Sequence, residues 1–150
     1  NVADRCLARL SRPMREVTNM RSWTLAVMLL NGGPAVAQVV EAGRLLYGDI
    51  CAAGHGVDAT GGGPMTEALT IAPPDLTNLT ASNDGTFPIV RVVFQIDGRD
   101  PMMAHGGPMP IFGPYLDGAA SAVLSAPDST PILTSPAIAD LVAYLQAIQS

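Results

Sequence analysis

The chain has 150 residues, 48% of them hydrophobic and 14% charged, with a formal net charge of −5 and an isoelectric point near 4.7. That length supports one domain with its own core, and the acidic balance argues against a nucleic-acid binder, which needs a basic face. The sequence contains no lysine, which excludes a lysine-dependent phosphate loop or Schiff-base chemistry, and no apolar run reaches the roughly 18 residues of a membrane span.

Residues 1–19 carry Arg5, Arg9, Arg12 and Arg15 with little apolar content. They read as an upstream segment outside the working protein. Met20-Arg21-Ser22 then opens a positive region, residues 23–30 are an apolar run, and Asn31-Gly32-Gly33-Pro34 breaks it. Ala35-Val36-Ala37 follows as an A-x-A site. That order is the layout of a cleaved secretory signal peptide over 20–37, with Gln38 as the expected mature N-terminus and the periplasm as the expected location. The alternative is a buried amphipathic helix of a cytosolic protein. Residues 38–150 hold three arginines against eleven acids, a net of −8. Partners with a basic docking face are therefore expected, drawn in by electrostatic steering. Cys51 is the one cysteine of this part, without a partner for an internal disulfide.

Three helices are predicted. The first covers about 38–51, with Val39, Ala42, Leu46 and Ile50 on one stripe. Gly43 beside that stripe suggests the close approach of another backbone. The second is announced by Thr86 as N-cap and Pro88 in the first turn. Ile89, Val90, Val93 and Phe94 form its apolar face, and Gly98 closes it as a left-handed cap. The third starts at Ser135-Pro136, with Ile138, Leu141, Val142, Leu145 and Ile148 as its stripe and Tyr144 beside it. No segment alternates with period two for long enough to predict a strand.

Two long loops, 54–83 and 97–134, are rich in Gly and Pro. Loops of that length in a small domain make sense if they wrap a large bound group that completes the core. Cys51 and His55 in Cys51-Ala52-Ala53-Gly54-His55 are one helical turn apart, so both can address one object. Met109-Pro110-Ile111-Phe112-Gly113 places a thioether on a rigid turn.

Here residues 38–150 resemble the small monohaem c-type cytochromes of the bacterial periplasm. The resemblance runs through Gly43-Arg44-Leu45-Leu46-Tyr47, the Cys51 to His55 segment, Pro73-Pro74-Asp75-Leu76, Phe87-Pro88, Ile96-Asp97-Gly98-Arg99, Met109-Pro110 with Gly113, and the segment from Ile138 to Leu145. It implies an all-α, cytochrome c-like fold of three main helices with long loops around one haem c. It also implies an electron carrier rather than an enzyme, exchanging electrons with redox proteins. His55 would be the proximal and Met109 the distal iron ligand, a pair that gives a high potential. Gly43 and Tyr144 match the small and aromatic residues at which the first and last helices of that family cross.

The family's attachment motif is C-x-x-C-H, and Gly54 stands here in place of the second cysteine. Three outcomes follow from that departure: attachment through Cys51 alone, haem held without a covalent bond, or a chain that does not mature. Met102, Met103 and His105 are alternative distal ligands. Two further functional readings are a haem-free interaction subunit of a larger oxidoreductase and a copper site built from Cys51, His55, His105 and Met109.

Overall fold

A computed structural model describes residues 33–99, 109–118 and 121–150, with only the backbone described for 33–38. The chain divides into Asn1–Pro34 and a second unit, Ala35–Ser150, and the second is the subject below. Residues 1–19, most of the expected signal peptide, Met102, Met103 and His105 lie outside the described residues.

Helix α1 spans Gly33–Ile50 and a one-turn helix α2 spans Ala52–His55. α1 begins five residues ahead of the predicted start. Its buried face also differs from the predicted stripe. Gly43 and Tyr47 are the buried positions, Leu46 and Ile50 flank them half-buried, and Val39 is exposed. The reason is the partner helix. A Cβ on Gly43 would land on the carbonyl oxygen of Asp140 and within 2.9 Å of Tyr144 Cβ. The Tyr47 and Tyr144 rings pack at 5.2 Å and 49°, a tilted aromatic pair. Glycine permits the crossing and tyrosine fills it, so an aliphatic stripe is not what marks this face.

Helix α3 spans Ile89–Asp97. Thr86 does not cap it. Its carbonyl accepts from the Asn83 side-chain amide at 2.7 Å, which holds Thr86 in the preceding turn, and Pro88 takes the cap position. The buried residues are Ile89, Val92, Val93 and Ile96. Val90 and Phe94, predicted on the same face, are exposed and half-buried respectively. The apolar arc opposite Arg91 and Gln95 is wider than the buried face, so Val90 and Phe94 fall on its margin. Gly98 closes it at φ +83° as predicted, its N–H bonded to Phe94 O.

The segment predicted as one long loop contains structure. A one-turn helix α4 covers Gly113–Leu116, and strands β1 (Ala122–Ser125) and β2 (Pro131–Thr134) pair antiparallel. Leu124 faces Ile132 inward, while Val123 and Leu133 pair on the outer face. Each strand has four residues, too short for alternation to be visible in sequence.

Helix α5, Pro136–Ala147, follows its predicted start. Ser135 Oγ accepts from Ile138 N, and Pro136 occupies the first turn, where its missing N–H costs nothing. Ile138, Leu141, Val142 and Leu145 are buried. They meet Val93 of α3 and Tyr47 of α1 in the centre of the core.

Gly43→Ala is expected to destabilise the chain by about 1–3 kcal/mol through overpacking. Gly48→Ala, in the same helix with nothing within 4 Å of the new methyl group, is expected to stabilise it by up to about 1 kcal/mol. Urea unfolding monitored by circular dichroism reads both; equal effects would exclude the close crossing at Gly43.

Candidate functional site

The site starts from the junction of α1 and α2. Cys51 N donates to Tyr47 O at 2.9 Å, and His55 N donates to Cys51 O at 2.9 Å. The helical hydrogen bonding thus continues through Cys51, and the thiol and imidazole are one turn apart as their spacing requires. Gly56, at φ +81°, stops the helix. The buried Tyr47 hydroxyl donates to Gly56 O at 2.8 Å. Burial raises the pKa of that phenol, so it stays a donor across the physiological range.

The loop after His55 folds back around this turn. Gly61 N donates to His55 O at 2.8 Å, Gly63 N to Gly54 O at 3.1 Å, and Met65 N to Ala53 O at 2.9 Å. The Thr66 hydroxyl lies 3.3 Å from Gly54 O and 3.1 Å from Gly61 O. Three consecutive carbonyls, which a one-turn helix leaves open, are satisfied by the loop. The C-terminus braces its far end: Gln149 accepts from Thr80 N and donates to Leu76 O.

The imidazole is oriented by one bond. His55 Nδ1 and Pro74 O are 3.1 Å apart. A carbonyl oxygen only accepts, so Nδ1 is the donor, and in the uncharged ring the lone pair sits on Nε2. That arrangement presets a histidine as a metal ligand through Nε2. Nothing in the sequence alone marks Pro74 as the partner of His55. The nearest signal is a rigid Pro-Pro segment downstream of a histidine.

Cys51 is half-buried, and burial alone pushes its thiol up to about 11. It is therefore a neutral thiol at pH 7, not a thiolate. Met109 is half-buried and packs against the same hydrophobic core as Cys51, together with Leu76, Leu79, Phe94 and Phe112. The structure thus brings Cys51 and His55 onto one turn and puts Met109 on a different segment packed against the shared core. Position 54 needs no glycine. A Cβ there would meet only Pro73 Cγ, at an ordinary 3.8 Å.

An imidazole nitrogen, a neutral thiol, a thioether and half-buried apolar surface fit an iron porphyrin by the chemistry of the donor set. Among the described residues no three His, Cys, Asp or Glu side chains cluster as a metal site. The four-ligand copper set also requires His105, which lies outside them. A groove of about 600 Å3 lies between α3 and the β1–β2 hairpin, lined by Val90, Phe94, Arg99, Ile132 and Leu133 among others. Cys51, His55 and Met109 do not line it.

The raised thiol pKa carries a sign. The neutral form is favoured in the folded chain, so its contribution to stability is complete below the ordinary thiol value near 9 and is lost as pH rises through about 11. Iodoacetamide is expected to alkylate Cys51 slowly in the native chain at pH 8 and rapidly in urea. Equal rates would show the thiol to be exposed and ordinary.

No protein-family description, no curated protein and no solved structure matches this chain.

Proposed function

We propose that the chain is an electron carrier for one haem, which His55 through Nε2 and Met109 through its thioether would hold as iron ligands and Cys51 would attach as the single covalent point. The observation that carries this reading is the His55 Nδ1–Pro74 O bond, which leaves the ligating nitrogen free on the turn that also bears the thiol. When bound, the haem supplies an iron that cycles between two oxidation states, so no substrate is transformed. The protein's own residues do the rest. Pro74 orients the imidazole and the loop bonds to residues 53–55 hold the turn, while the apolar side chains packed beside Cys51 and Met109 would limit water at a bound haem.

The partner proposed is a redox protein with a basic face, met after export to the periplasm. Residues 38–150 carry a net of −8. Arg44 bonds Glu41 and Arg99 bonds Asp97, which neutralises two of the three arginines locally. Association with a basic partner is then steered at long range and weakened by salt. No helix among the described residues is long and apolar enough to cross a membrane.

A second reading, a haem-free interaction subunit, is favoured by one observation: α1, α3 and α5 bury Tyr47, Val93, Ile138, Leu141 and Val142 almost completely with protein alone. Circular dichroism of the chain made without haem separates the two. A cooperative, fully folded apoprotein supports the second reading, and a chain that folds only with haem supports the first.

Expression with haem-maturation factors is expected to give a Soret band and covalently retained haem, both lost in His55→Ala. Gly54→Cys, which the 3.8 Å clearance accommodates, is expected to raise the covalently retained fraction. Met109→Ala is expected to lower the reduction potential. A colourless wild-type product would end the electron-carrier reading.

A further inference from the structure

The segment bearing Met109 is held against the C-terminal end of α3 by interlocking contacts. Phe112 N donates to Ile96 O at 2.9 Å, taking up a carbonyl of the last helical turn. A Cβ on Gly98 would stand 2.5 Å from Ile111 Cγ2, and a Cβ on the buried Gly113 would stand 2.5 Å from Asp97 O. Each strand of the contact therefore supplies one glycine and one group that fills the other's notch. Arg99 fixes the same helix end from outside. Its guanidinium bonds the Asp97 carboxylate, donates to Leu133 O at 2.8 Å and lies 4.8 Å from the centre of the Phe94 ring.

Met109 stands two residues before Ile111. Pro110 has a fixed φ, and a residue before proline is confined to extended conformations. Few soft torsions separate the clamp from the Met109 Cα. We propose that Gly98 and Gly113 are positioning residues for Met109: the paired notches set the register of 109–113 on α3 and thereby the place of the thioether. The use of that thioether as an iron ligand rests on the electron-carrier reading; its placement by the clamp does not.

The test uses the full chain, with and without haem, as wild type, Gly113→Ala and Ile111→Ala. Ile111 is 40% exposed, so its truncation empties the Gly98 notch without a clash and decides the matter if Gly113→Ala does not fold. Hydrogen peroxide oxidises methionine according to its exposure, and peptide mass spectrometry compares Met109 with the exposed Met65. In a chain that folds without haem, both variants are expected to oxidise Met109 severalfold faster relative to Met65 while keeping the wild-type circular dichroism; in a chain that folds only with haem, the same ratio is read on the haem-loaded protein. With haem, both are expected to shift the reduction potential in the direction of Met109→Ala, a change that a purely structural role would not produce. An unchanged Met109-to-Met65 ratio in a folded Ile111→Ala chain overturns the proposal. Failure of the wild type to take up haem removes the electron-carrier reading, and the peroxide ratio still decides the clamp.

Discussion

Among the described residues the buried Tyr47 hydroxyl donates to the Gly56 carbonyl, and that bond joins the helix crossing to the site turn. Above it, the Tyr47 ring packs on Tyr144 where α1 crosses α5 at Gly43. Below it, Gly56 ends the turn that carries Cys51 and His55. A buried hydroxyl left without its acceptor costs on the order of 1–3 kcal/mol. The helix crossing and the site turn are therefore coupled: neither can move far without breaking the bond at the other.

The site is a case of backbone doing the ordering. Gly54, Ala53 and His55 each have their carbonyl bonded by the loop, and the imidazole is aimed by the Pro74 carbonyl rather than by a carboxylate. A carbonyl orients the ring without adding negative charge. Under the electron-carrier proposal, in which a bound metal would change charge by one electron, a neutral orienting group would leave the field at that metal to the ligands and the surrounding apolar side chains.

Residues near one another in sequence were legible, and contacts between distant ones were not. Ser135-Pro136 gave the start of α5, and Gly98 the end of α3, because capping is decided within a few residues. Cys51 and His55 were recognisable as a pair for the same reason. The buried faces of α1 and α3 were not legible, since Gly43 faces inward only because Asp140 stands opposite, and the apolar arc of α3 is wider than the face it buries. The hairpin escaped notice because four-residue strands show too little alternation. The His55–Pro74 bond spans nineteen residues, and the seat of Met109 on α3 depends on glycines whose purpose is visible only when the opposing backbone is seen.

The β1–β2 hairpin exposes an apolar couple, Val123 opposite Leu133. A bare strand edge next to such a couple would ordinarily invite neighbouring molecules to extend the sheet. Here each strand offers only four residues, and Pro131 lacks a backbone N–H. Sheet growth along this rim would run out of donors almost at once, which lets the hairpin keep an oily surface without seeding fibres.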